Sequence, residues 1–186
     1  MSAADRVALA ERVRRSAGLF PLEDRGVLAV RGGDRVRWLN GMISNDVAGL
    51  APGPERSGCR ALLLTRQGRI VADLHVLLHG EEIWLETERA SVDVARDRLA
   101  KLVIADDVEL VDLGDAWVRL GVEGPETRPL LGALAEGAEE LARLAPDACT
   151  GIRIAGADVV AAAFGWSGED AIQQVVPRAA AAAALD

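Results

Sequence analysis

Gly58-Cys-Arg-Ala-Leu-Leu-Leu-Thr-Arg-Gln-Gly-Arg-Ile-Val-Ala-Asp-Leu-His-Val-Leu-Leu-His79 is the stretch whose reading decides the fold. Two runs rich in aliphatic residues flank Thr65-Arg66-Gln67-Gly68. That pattern predicts a β-hairpin, with Gly68 in the left-handed conformation that a tight turn demands. Asp73 interrupts the second run between Ala72 and Leu74. A carboxylate buried without partners costs several kcal/mol or gives up its charge. Asp73 therefore meets a local donor, sits at a wet sheet edge, or serves a ligand. His75 and His79 follow on the same run, and on a strand they lie roughly 13 Å apart, too far to share one metal ion.

Working outward, a chain of 186 residues, half of them hydrophobic, suffices for one compact domain or two small subdomains. The net charge of −8 argues against nucleic acid as a partner, because phosphate recognition needs clustered positive charge. The Ala-rich run Ala179–Ala184 is too short to span a bilayer, and charges follow Met1 at once, so the expectation is a cytoplasmic protein without a membrane partner. Cys59 and Cys149 are too few and too isolated for a disulfide framework or a metal knuckle. Lys101 is the only lysine beside many arginines, and tyrosine is absent.

Before the hairpin, residues 3–17 carry a helical pattern with Val7, Leu9, Ala10 and Val13 apolar, stopped by Gly18 and Pro21. Gly26–Arg31 is a short strand, and Asp34 is placed to cap a helix running to about Met42. Ser44-Asn45-Asp46-Val47 reads as a turn leading into a Gly- and Pro-rich loop. After the hairpin come a strand at Ile83–Glu86 and a helix from about Arg89 to Leu102 whose buried side is Val92, Val94, Ala95, Leu99 and Leu102. Asp107–Asp112 alternates as a further strand. Trp117–Val122 is strand-like, Pro125 opens a helix, and Glu139–Leu144 is helical. Gly151–Ala155 and Asp158–Phe164 form a hairpin around Gly156, with Ile172–Val176 a possible partner. The fold class is α+β: a ferredoxin-like sandwich plus a second antiparallel-sheet subdomain.

Two glycine-bearing motifs are set aside. Gly165-Trp-Ser-Gly168 lacks the Gly-x-Ser-x-Gly spacing of a nucleophile elbow. Gly121-Val-Glu-Gly124-Pro125 lacks the last glycine of a dinucleotide loop and reads as a strand-to-helix turn. Glu169 and Asp170 follow Ser167-Gly168 at a tight turn, where local capping competes with a ligand-facing role. Asp73 and Glu169 together would suit a donor-rich heterocycle, although spacing alone does not bring them together.

Four landmarks in order, Arg37–Val47, Leu62–Leu74, Val122–Arg128 and Phe164–Asp170, resemble the folate-binding aminomethyltransferase superfamily, which includes the glycine-cleavage T-protein and the YgfZ-like proteins that support iron–sulfur enzymes. The resemblance implies a cloverleaf around a tetrahydrofolate channel. It divides this chain into 1–50 with 114–186 as a discontinuous antiparallel-sheet subdomain and 51–113 as the ferredoxin-like one, the terminal barrel domain being absent. The family's acidic pair falls on Ala72 and Asp73, so Asp73 is the candidate at the folate nitrogens and, in a transferase, the catalytic residue. Glu169 matches the glutamate that holds the pterin edge, while Trp166 and Ser167 replace a tyrosine and a threonine. Asn45 and Asp46 match a structural turn. Arg60 and Arg25 fall where the T-protein tends to place apolar or aromatic pocket residues. The single-Asp hairpin and the wording of Leu62–Leu74 favour the YgfZ-like branch, whose later Lys-Gly-Cys-Tyr signature does not occur here. The resemblance thus implies a folate-binding protein in one-carbon metabolism or iron–sulfur maintenance, with an aminomethyltransferase as the enzymatic alternative. The third possibility is a scaffold without folate, or one half of an assembly with a separately encoded C-terminal part. Its partners are then folate itself and either an iron–sulfur client protein or that second chain.

Overall fold

The computed structural model describes residues 3–182; the side chains of residues 3–6 and of Leu9 lie outside the described residues. Helix α1 (Ala3–Arg15) leads into β1 (Gly18–Pro21), β2 (Arg25–Arg31), α2 (Arg35–Asn40), β3 (Gly58–Leu64), β4 (Ile70–His79), β5 (Glu82–Glu88), α3 (Arg89–Ala100) and β6 (Glu109–Asp112). The second half holds β7 (Trp117–Glu123), α4 (Thr127–Leu134), β8 (Ala135–Glu136), α5 (Ala138–Arg143), β9 (Cys149–Ile154), β10 (Ala157–Ala162) and β11 (Ala171–Pro177).

The strands build two antiparallel sheets, of order β3-β4-β5-β2-β6 and β1-β7-β11-β10-β9-β8. The central hairpin forms as its turn chemistry predicts. Gly68 sits at φ +78, its N–H donates to the Thr65 carbonyl, and the Thr65 hydroxyl accepts from the N–H groups of Gln67 and Arg69. Register then pairs Asp73 with Leu62 and His75 with Arg60.

Alternation along the strands gives the layers. Leu28, Val30, Leu63, Leu74, Val76 and Leu85 face α2 and α3, whose Trp38, Leu39, Val92, Ala95 and Leu99 complete one core. Leu120, Val122, Ile152 and Ile172 face α4 and α5 in a second core with Leu131 and Leu141. Between the sheets lies a third cluster, Val27, Ala29, Leu77 and Trp84 against Cys149, Val160, Ala162, Phe164 and Val175. The result is four layers, helix–sheet–sheet–helix, with a seam between the sheets. Each large side chain buried in these cores contributes about 1.5–3 kcal/mol.

Three expectations need correction. Residues 25–31 do not join the sheet of residues 114–186: β2 lies between β5 and β6, pairing Leu28 with Leu85 on one side and with Asp112 on the other. A strand buried on both faces needs a ladder on both edges, and those partners are supplied only later in the chain. Of the first fifty residues, β1 is the part that pairs with β7, and it was hidden by the stop signals Gly18 and Pro21. Val94 and Leu102 are 55% and 43% exposed, because α3 lays only the Val92–Ala95–Leu99 stripe on its sheet.

Candidate functional site

The seam between the sheets turns polar where β2, β4 and β5 face β7 and β11. Glu86 is fully buried there. On one side Arg25 donates to both its oxygens, Nε to Oε1 at 2.6 Å and Nη2 to Oε2 at 2.8 Å. On the other, Arg119 Nη2 lies 3.1 Å from Oε1. His75 Nδ1 is 3.3 Å from Oε2. Burial pushes the Glu86 carboxyl up, but the charge of Arg119 and hydrogen bonds from Arg25 and His75 outweigh it and hold the acid at about 2. Burial drives Arg119 down, with Glu86 opposing and Arg25 adding to the fall.

An aromatic run leads from this cluster to the surface. The His75 ring stacks on Phe164 at 3.5 Å between centroids. Phe164 meets Trp166 edge-on at 6.0 Å, and the Arg25 guanidinium lies 5.2 Å from the centre of the Trp166 ring. Trp166 is 53% exposed. The segment bearing it is pinned by Glu123, whose carboxylate accepts from the N–H groups of Trp166 and Ser167 and from Gln173 Nε2. Gly165 permits this approach, since a Cβ there would meet Ala171 Cβ at 2.3 Å and Glu123 Oε1 at 2.8 Å. Two buried acceptors along the seam, His75 Nε2 and Gln173 Oε1, have no hydrogen-bond partner among the described residues.

The residues singled out from the sequence divide as follows. Arg25 and Trp166 are in contact. Asp73 is exposed on β4, two positions before His75 and on the same face of the sheet. Ala72 points the other way, into the core under the helices. Arg60 lies on that same face beside His75, but half-exposed and paired with Asp147 at 3.1 Å. Glu169 is exposed on the turn after Gly168, its N–H donating to the Ser167 hydroxyl. Asp170 binds Arg128 through both carboxylate oxygens. Asn45 Nδ2 donates to the Arg60 carbonyl and ties the loop to β3, while Asp46 accepts from the Ala48 and Gly49 N–H groups and closes the turn on itself. His75 and His79 make separate contacts, with Phe164 and Trp84. Among the described residues no group of three His, Cys, Asp or Glu side chains converges to hold a metal, and no helix is long and apolar enough to cross a membrane.

Glu86 and Arg119 are the residues that the sequence reading passed over. Neither is the only charge on its strand, and the local signal is that Glu86 shares the alternation phase of Trp84 and Arg119 that of Trp117.

Two antiparallel sheets facing one another across a charged and aromatic seam, with helices on the outer faces, define an α+β domain class. A profile of the GCVT N-terminal domain matches residues 5–186, and the chain belongs to that family. It is 30% identical over 164 residues to an aminomethyltransferase of Geobacillus kaustophilus, covering 88% of this chain and 44% of that protein. A Rubrobacter xylanophilus aminomethyltransferase is likewise 30% identical, over 88% of this chain and 42% of its own length. The chain therefore spans less than half the length of these curated relatives. Among solved structures it resembles the glycine cleavage system aminomethyltransferase T from Bartonella henselae, with TM-score 0.77, 21% identity, and 95% of this chain and 47% of that one covered. It also resembles a chain of the heterotetrameric sarcosine oxidase from Corynebacterium sp. U-96 in complex with pyrrole 2-carboxylate, with TM-score 0.61 and 15% identity over 98% of this chain and 89% of that one.

Proposed function

We propose that this chain is a folate-binding module that holds tetrahydrofolate at the open end of the seam without turning it over, in the manner of the YgfZ-like branch. The observation that carries this is the placement of Asp73: an exposed carboxylate on the seam face, beside the His75–Phe164–Trp166 run. A pterin is a flat, donor-rich heterocycle, and on this reading Trp166 is its stacking surface and Asp73 and Glu169 its carboxylate acceptors. Arg25 fixes the Trp166 ring from its other partner, Glu86. Arg60 lies on the same sheet face, paired with Asp147. Bound folate would supply a nitrogen that carries a one-carbon unit. The chain's own contribution is to bind and orient the ring, and Ala72, turned into the core, leaves one carboxylate of the family's acidic pair on this strand. On this reading the service is to one-carbon metabolism or to an iron–sulfur client.

A second reading takes its lead from the likeness to the sarcosine oxidase chain. The Corynebacterium chain, nearly all of which is matched, belongs to a heterotetramer. A partner chain that completes the wall of the channel would give this module a place in an aminomethyl-transfer assembly, with Asp73 then relaying a proton at the folate nitrogen.

Titration calorimetry of the chain with tetrahydrofolate tests both. Saturable binding is expected at micromolar strength, weakened about tenfold or more by Asp73→Ala and severalfold by Glu169→Ala. Absence of saturation at millimolar ligand, in a chain with a cooperative melt, would overturn the folate reading.

A further inference from the structure

A cavity of about 540 Å³ has a wall that includes Leu22, Arg25, Arg89, Trp117, Arg119 and Arg178. Four arginines around one cavity are unexpected in a chain whose net charge is −8. Three of them are committed elsewhere. Arg25 is bidentate on Glu86, Arg89 is bidentate on Asp112 at 2.8 and 2.5 Å, and Arg178 donates to the Asp115 carbonyl at the rim.

Arg119 is different. Its side chain is 3% exposed, and none of its guanidinium nitrogens has a hydrogen-bond partner among the described residues. Its 3.1 Å approach to Glu86 is an ion-pair contact without hydrogen-bond alignment. A planar fork of donors is left unsatisfied, and such a group costs free energy unless something accepts from it. Arg25 and Arg119 share the single carboxylate of Glu86, while Glu23 and Asp115 stand on the same cavity wall. A two-oxygen anion satisfies the Arg119 donors, since carboxylate and phosphate match the guanidinium fork. The cavity is of the size that small-molecule sites occupy. Leu22, Trp117, Val118 and Leu120 give it an apolar side.

We propose that this cavity is a binding site for a small oxyanion-bearing molecule, its carboxylate or phosphate head seated on Arg119 with Arg25 beside it and Arg178 at the entrance. The site shares Arg25 with the proposed folate end, but Trp166, Asp73 and Glu169 are not among its lining residues.

The test titrates the full chain with two probes, inorganic phosphate and benzoate, at constant ionic strength held by chloride, following heat and melting temperature. At least one probe is expected to bind saturably, and which one does distinguishes a phosphate head from a carboxylate on an aromatic body. Arg119→Met is expected to weaken that binding about tenfold or more, and Arg178→Ala, at the exposed rim, by roughly threefold. Asp73→Ala is expected to leave it unchanged, which separates this site from the folate end. Should Arg119→Met fail to fold, Arg178→Ala alone decides. The proposal falls if neither probe saturates up to tens of millimolar, or if binding is indifferent to the arginine that can be tested.

Discussion

Glu86→Gln removes one negative charge from the seam and leaves Arg25 and Arg119 facing an amide. The carboxyl is held at about 2 against an ordinary 4.5, a gap that corresponds to roughly 3 kcal/mol of folding free energy. That figure agrees with the ~3–5 kcal/mol lost when one member of a buried ion pair is deleted. Because the folded-state value is depressed, the contribution is complete above about pH 4.5 and is lost as the pH falls toward 2. Equilibrium urea unfolding, followed by the fluorescence of the four tryptophans, measures it directly. At pH 7 the variant is expected to be roughly 3 kcal/mol less stable than wild type, a fall in melting temperature of roughly 6–12 °C for a chain of this size. At pH 3 the wild-type advantage should shrink to about 1 kcal/mol, since the unfolded wild type then takes up a proton that the folded one resists. A neutral-pH difference below ~1 kcal/mol, or a difference that persists undiminished in acid, would refute the seam electrostatics described above.

Two more changes probe the same region. Gly165→Ala drives a methyl against Ala171 and the Glu123 carboxylate; it should cost about 1–3 kcal/mol and weaken tetrahydrofolate binding by displacing Trp166, and an unchanged melt would show that the turn has slack. Burial raises the thiols of Cys59 and Cys149 to about 11 from 9.0, so iodoacetamide at pH 8 should label either of them roughly a hundredfold more slowly in the native chain than in urea; comparable rates would mean that the β9 edge of the seam opens readily.

Much of this architecture was legible because local chemistry specifies it. Thr65–Gly68 fixes a turn, and the runs on either side then have one register that buries Leu74 and Val76. What local pattern does not encode is which ladder an isolated strand joins. Gly26–Arg31 reads as a strand, but its neighbours are Glu82–Glu88 and Glu109–Asp112, and nothing near it in the chain names them. The same limit hid the site's centre. Glu86 and Arg119 each look like the wet side of a half-buried strand until the second sheet covers them and sets them 3.1 Å apart. The resemblance singles out Arg25 and Trp166 separately, and only the meeting of the two sheets makes them a pair. Glu169 was legible as a turn residue and is one, still facing solvent.

The position of β11 in the middle of its sheet, between β7 and β10, bears on how the molecule comes into being. Every strand of the five-stranded sheet has been synthesised by Asp112, so that layer and its helices can close before the other sheet. β1 is made among the first elements yet waits for β7, and β7 in turn waits for Ala171–Pro177 before it is joined to β10 and its neighbours. Until then Arg119 has no neighbour on its β11 side, because Val175 is its register partner. The charged seam is thus completed by the last of the strands that build it, and pairing over such sequence separations is the slow part of folding. A nascent chain passes through a stage with one finished sheet and the other in two pieces, and that stage is where a chaperone or a partner subunit would find it open.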